Sequence, residues 1–387
     1  MSAARLEAVI SLLEQLVAFD TESSKSNLPI IDHIEAYLRA RDVTSVRVPN
    51  VAGDKAALFA TIGPMGDGGI VLSGHTDVVP VAGQQWTSDP FRLRRDNGRL
   101  YARGACDMKG FDALALAMVD EFRALPLKRP LHLLLSYDEE TTCLGPVDTI
   151  KRFGRDLPTP AAVIVGEPTL MQVADAHKSV STYVTHVRGH EAHSSNPALG
   201  ANAIEGACAL VSGLYRFMDE LMQQGDPSQR FVPGSSTISV GTIAGGTARN
   251  ILARDCSFHW EFRGLPGVAQ DAALKHLEAI AARDVLPRLQ RYAPDARITT
   301  EIEIEVPGLA PQPGSLAETL AFKAARQNAT VAVSYATEAG RFQKAGIATV
   351  VCGPGSIDQA HQPDEYIEES QLMEGIDFMR RLAQELV

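Results

Sequence analysis

The chain alternates two kinds of hydrophobic spacing. Over residues 3–20, Leu6, Val9, Ile10, Leu13, Leu16 and Val17 recur every three to four positions, which predicts an amphipathic helix. Further helices are predicted near 27–41 and 109–124. Between them, near 56–62, 69–74, 131–137 and 161–166, lie short runs of Leu and β-branched residues bounded by Gly, Pro or acidic residues, which predict buried strands. That alternation implies a mainly parallel sheet with helices on both faces.

The pattern changes near residue 179. A strand (180–188), a long helix (201–223), two strands (236–243 and 255–263), a second long helix (268–290) and a strand (297–306) follow one another. This β-α-β-β-α-β order predicts a ferredoxin-like α+β insert. The first pattern then resumes with a helix near 315–327, a strand near 329–334, a helix near 338–345, the strand Ala348–Cys352 and a helix near 368–386. The predicted fold is therefore α/β, with one domain of residues 1–178 and 308–387 interrupted by a second of 179–307. A chain of 387 residues is long enough for two such cores.

Composition narrows the function classes. Apolar residues are 45% and charged residues 21%, as in an ordinary globular enzyme. The net charge of −11, with no long run of Lys or Arg, argues against nucleic acid as a partner. Five cysteines without a C-x-x-C pair speak against a disulfide framework and fit a reducing compartment. The first helix lacks the basic segment and continuous apolar core of a signal peptide, and no run is long enough to span a bilayer. A cytoplasmic protein with no membrane partner is expected.

The chemistry lies in short segments at predicted strand ends, where an open α/β sheet presents side chains to a crevice. Ser73-Gly74-His75-Thr76-Asp77 places an imidazole just past a strand, with Asp77 spaced to receive its other N–H; a polar loop is the plainer reading. Asp107, before an apolar helix, could bridge two cations or simply cap the helix. Asp138-Glu139-Glu140 ends a buried strand, as either a solvated turn or a cleft in which one glutamate ligates metal and the other moves protons. Gly166-Glu167-Pro168 repeats the device, and Ala360-His361-Gln362-Pro363-Asp364-Glu365 adds a second His. Oxygen and nitrogen ligands without thiolates fit a pair of zinc-like ions.

Longer segments carry a resemblance: Ser136-Tyr137-Asp138-Glu139-Glu140, Gly166-Glu167-Pro168-Thr169, Ala176-His177-Lys178, Val187 to Ser195, Trp260-Glu261-Phe262-Arg263, and Val351 through Tyr366. Over essentially its whole length the chain resembles the zinc-dependent metallopeptidase superfamily of acetylornithine deacetylases, succinyl-diaminopimelate desuccinylases, aminoacylases and glutamate carboxypeptidases. Among these it is most similar to the acetylornithine deacetylases.

The resemblance implies that the discontinuous domain is catalytic and binds two divalent ions, with zinc expected and cobalt or manganese also accepted. Asp107 would bridge them, followed by a cis peptide; His75 and Glu167 would complete one site, Glu140 and His361 the other. Glu139 would be the general base of an amide hydrolysis. It further implies that the insert is a lid and homodimer interface, from which His193 reaches the neighbouring subunit's oxyanion, unless His190 and His193 are plain loop residues. The apolar face of helix 201–223 is a candidate for that contact. Asn250 and Arg263 match substrate-contacting positions, Arg263 pairing an α-carboxylate. Glu338 could face a substrate amine, though an acid in a first helical turn is favourable anyway.

Two departures, Thr141-Thr142 where Val-Gly is frequent and Ala102 where Gly is frequent, bear on substrate identity. The expected reaction is removal of an acetyl group from N2-acetyl-L-ornithine. Its rivals are a deacylase of acetylcitrulline or an N-succinyl diamino acid, and a non-catalytic peptide-binding relative.

Overall fold

The computed structural model describes residues 2–387, which form two compact units. Its strands are β1 (Thr44–Pro49), β2 (Ala56–Ile62), β3 (Ile70–His75), β4 (Arg94–Asp96), β5 (Arg99–Tyr101), β6 (Leu131–Ser136), β7 (Ala162–Pro168), β8 (Ala174–His177), β9 (Ser179–Arg188), β10 (Thr237–Gly245), β11 (Asp255–Gly264), β12 (Arg297–Val306), β13 (Val331–Val333), β14 (Ala348–Gly353) and β15 (Tyr366–Glu368).

The first unit runs to Ala176 and takes up Pro311–Ala332 and Thr337–Val387. Its eight-stranded sheet has the order β1-β2-β6-β3-β7-β14-β8-β13. The central four, β6, β3, β7 and β14, run parallel, with antiparallel pairs at β1-β2, β2-β6 and β14-β8. Strands β3, β6 and β7 are buried at every position, which explains why they read as continuous apolar runs. Helices Ser2–Val17, Lys109–Ala117 and Glu369–Gln384 pack together and contribute Val9, Leu13, Leu114, Leu116, Ile376 and Met379 to the core.

The second unit comprises His177–Ala310 and Val333–Ala336. The latter segment, outside the expected insert, donates from Ser334 Oγ to Val232 O at 2.7 Å. Its antiparallel sheet, β10-β11-β9-β12, turns the alternating Cys256, Phe258, Trp260 and Phe262 of β11 inward. Helix Ala203–Gln224 starts at Asn202, whose side chain accepts from the N–H of Ile204, and ends before Gly225 at φ 63°. Its apolar face, Ala207, Leu210, Leu214 and Leu221, is buried in the unit's own core. The expectation that this face serves a dimer contact is therefore corrected: the sheet uses it.

The second long helix is not regular. It runs Ala272–Ile280 and Leu286–Gln290, with a wide π turn at Ala281–Val285. Pro287, which has no N–H to donate, accounts for the irregularity. Among the described residues, no helix is long and apolar enough to cross a membrane.

Candidate metal centre

Parallel neighbours end at the same edge. In register, His75 of β3 lies beside Ser136 of β6, and Ser73 of β3 beside Val165 of β7. The segments His75 to Asp77, Asp138 to Glu140 and Glu167 therefore arrive side by side, as strand ends do in open α/β sheets. Asp107 joins them from the loop before helix Lys109–Ala117. Two glycines let that helix come close. A Cβ on Gly166 would lie 2.1 Å from the Phe111 ring, and one on Gly74 would lie 2.2 Å from Asp112 Oδ1. The glycines before His75 and Glu167 are thus packing requirements that bring Asp107 within reach of both.

Each oxygen of Asp107 faces a different histidine. Oδ1 is 3.1 Å from His75 Nε2, and Oδ2 is 3.3 Å from His361 Nε2. His361 Nε2 is also 2.8 Å from Glu140 Oε2, and His75 Nε2 is 3.7 Å from Glu167 Oε1. Ligand atoms of His75, Asp107 and Glu140 lie within 4.8 Å of one another, as do those of His75, Glu139 and Glu167. The peptide Asp107–Met108 is cis.

The surrounding bonds fix these groups. His75 Nδ1 lies 2.9 Å from the carbonyl oxygen of Asp77, which can only accept, so Nδ1 carries a hydrogen and Nε2 is the nitrogen turned toward Asp107 and Glu167. The Asp77 carboxylate, expected as that acceptor, is farther away at 3.5 Å. It instead accepts from Ser23 Oγ at 2.6 Å and from the backbone N–H groups of Glu139 and Glu140 at 3.2 and 3.3 Å. Asp77 thereby ties the end of β3 to the turn after β6. Asp138 turns away to pair with Lys55, and the Cys143 thiol donates to Glu139 Oε1 at 3.2 Å.

So many carboxylates in one buried place compete for protons. Burial pushes Glu139 and Glu167 well above the usual carboxylate range, and burial with the nearby Asp107 charge pushes Glu140 up to about 7. Burial alone would raise Asp107 and lower His75. Hydrogen bonds to His361 and His75 nevertheless hold Asp107 below its ordinary value, and the neighbouring Asp107 and Asp77 carboxylates hold His75 well above its own. Hydrogen bonds to Asp107 and Glu140 raise His361 to about 10.

The donor set fits divalent cations. Glu140 Oε1 and Glu167 Oε1 are buried without a hydrogen-bond partner, an arrangement that costs free energy unless positive charge lies beside them. Cys106 adds no thiolate. Burial holds its pKa well up, and its Sγ faces Ser356 O at 3.3 Å. Carboxylate and imidazole donors of this kind suit zinc, cobalt or manganese.

The remaining expected residues fall elsewhere. Glu338 is fully buried, accepting from Ser73 Oγ at 2.5 Å and from Ser136 Oγ at 2.7 Å. It braces β3 against β6 and has no open face toward a substrate amine. In the second unit His193 is exposed, and Ser194 N donates to Asn250 O at 3.0 Å, so His193 and Asn250 are brought together. Arg263 is not with them. It lies eight residues along β11 from Asp255, roughly 26 Å at the usual strand rise, and is engaged by Glu261 at 3.1 Å. Sequence reasoning passed over Ser23 and Glu365, both buried polar groups at the site's back. A serine in a loop after a helix gives no signal, and neither does an acid whose partners are mostly backbone N–H groups.

Comparison with known proteins agrees with this architecture. The chain superposes on the aminopeptidase PepT of Bacillus cereus with a TM-score of 0.78 at 18% identity, covering 98% of each chain. Human carnosine dipeptidase 1 gives 0.69 at 16% identity over 100% of this chain and 98% of that one. The YXEP protein of Bacillus subtilis, described as a dinuclear metal-binding peptidase, gives 0.68 at 16% identity over 100% of both. At such identities the likeness concerns the fold. The sequence itself matches the model of Peptidase family M20/M25/M40 over residues 71–385, and the chain belongs to that family.

Proposed function

We propose that this protein is a two-cation amidohydrolase that removes the acetyl group from N2-acetyl-L-ornithine, giving L-ornithine and acetate for arginine synthesis. The observation that carries the two-cation reading is Asp107, whose two oxygens face His75 and His361 separately. His75 and Glu167 would complete one cation site, and Glu140 and His361 the other. Bound divalent cations would polarise the acyl carbonyl and acidify the attacking water.

The chain's own groups do the rest. Glu139 takes the proton from the attacking water and returns it to the leaving amine; burial raises its pKa above the ordinary carboxylate range, which makes it a stronger proton acceptor. His193, offered to a neighbouring copy of the chain in a homodimer, would stabilise the oxyanion. Its hydrogen bonds support this: Nδ1 accepts from the N–H of Ser195 at 3.2 Å, so the neutral ring carries its hydrogen on Nε2 and can donate from there. Arg263 would pair the substrate α-carboxylate by exchanging its bonds with Glu261, and Asn250 would contact the substrate from the His193 loop. The choice of acetylornithine rests on the long segments around Glu139, Glu167 and His361. The structural relatives named as peptidases support amide-bond hydrolysis more broadly.

Initial rates on a panel of N-acetylornithine, N-acetylcitrulline, N-succinyl diamino acids and dipeptides test the substrate. The expected result is the highest kcat/KM for N-acetylornithine. A preference for a neutral side chain, a succinyl group or a dipeptide would sink that assignment, and no turnover on any of them would favour a peptide-binding relative.

A further inference from the structure

Behind Asp107 lies one carboxylate that takes no part in the ligand set. Glu365 is buried, and its four hydrogen bonds all converge on the loop that carries Asp107. Oε1 accepts from the backbone N–H of Cys106 at 2.8 Å and of Asp107 itself at 3.0 Å. Oε2 accepts from the N–H of Gly104 at 3.0 Å and from Arg103 Nη1 at 2.6 Å. The backbone joins in, since Ala102 N donates to Glu365 O at 3.1 Å.

The network then returns to the other ligand. Arg103 Nη2 donates to Gln84 Oε1 at 2.6 Å, and Gln84 Nε2 donates to the carbonyl oxygen of His361 at 2.8 Å. Trp86 Nε1 also donates to Gln84 Oε1, at 3.1 Å. Glu365 is four residues beyond His361 in the chain, so the bonds close a ring: Glu365, the Asp107 loop, Arg103, Gln84, His361 and back to Glu365. His361 itself is half exposed and sits at φ 62°, in a turn that helix or strand bonding does not hold.

We infer that Glu365 is a positioning residue that sets the distance between Asp107 and His361, and so the affinity of the cation site those two residues share. This rests on the two-cation reading above. A buried carboxylate bonded to three backbone N–H groups and a guanidinium has a direction as well as a charge. Replacing it with an amide leaves a donor facing donors, which the loop can relieve only by moving. Groups that orient metal ligands typically change metal affinity about ten- to a hundred-fold when removed.

The test is metal affinity rather than turnover. Dissociation constants for Zn2+ are measured by competition with a chromophoric chelator on the full chain, for wild type, Glu365→Gln and Gln84→Ala, with folding checked by circular dichroism. E365Q is expected to weaken binding about ten-fold or more. Q84A, which removes the link between Arg103 and His361 but leaves the bonds of Glu365 to the Asp107 loop intact, should weaken one of two bound ions and spare the other. A merely structural Glu365 would lower the melting temperature of the stripped protein and leave both constants unchanged, and that result overturns the inference. Should E365Q fail to fold, Q84A decides alone: wild-type constants overturn the inference. A wild-type chain that binds no zinc would instead refute the two-cation reading itself.

Discussion

Asp138, Glu139 and Glu140 are neighbours of almost identical chemistry, yet each meets a different partner. Asp138 pairs with Lys55, Glu139 receives a bond from Cys143 and stands near His75 and Glu167, and Glu140 faces His361. The backbone explains the division. Asp138 adopts a left-handed conformation at φ 56°, which turns the chain between the strand and the short helix Glu139–Thr142 and points successive carboxylates in separate directions. If Glu139 carries the proton while Glu140 binds metal, Glu139→Ala should keep two bound ions and lose about 10²–10⁴ in kcat. Metal analysis beside steady-state rates checks this. Retained turnover, or loss of a metal ion along with turnover, would contradict the separation of roles.

At the scale of elements, the site is an encounter between three strand ends and one helix, and its closeness depends on glycine. Gly166→Ala should place a methyl group about 2 Å from the Phe111 ring, an overpacking that typically costs about 1–3 kcal/mol. A lower melting temperature for G166A, partly recovered in the double variant with Phe111→Leu, is expected; an unchanged melting temperature would mean that the helix is not held this tightly. The same encounter shows what the sequence makes legible. Strands β3, β6 and β7 were readable because burial on both faces writes a largely apolar run, and the segments His75 to Asp77, Asp138 to Glu140 and Glu167 stood out because each ends or follows such a run, whereas Asp107 sits in a loop before a helix. The three-residue strands β4 and β15 are too short to show a period, and β1 pairs only at the sheet edge. Glu338 was misplaced because an acid opening a helix looks alike whether it faces a ligand or, as here, two buried serines. Glu365 went unread because a side chain that serves backbone N–H groups leaves no pattern of partners in the sequence.

For the whole molecule, the main consequence is a tie between metal, protons and stability. His361 is raised from an ordinary 6.5 to about 10, chiefly by its hydrogen bonds to Asp107 and Glu140, and burial raises Glu140 from 4.5 to about 7. A pKa raised on folding contributes stability that is complete below the ordinary value and lost as pH rises through the folded one. Without cations the protein should therefore lose stability as pH rises, first through about 7 with Glu140 and then toward about 10 with His361. Cations take the place of those protons, so binding should release protons and tighten as pH rises. The most direct test is calorimetric titration of the metal-stripped full chain with Zn2+ at pH 6 and pH 8. The account predicts two equivalents per chain, tighter binding at pH 8 and proton release at both; a single equivalent, or an affinity indifferent to pH, would contradict it.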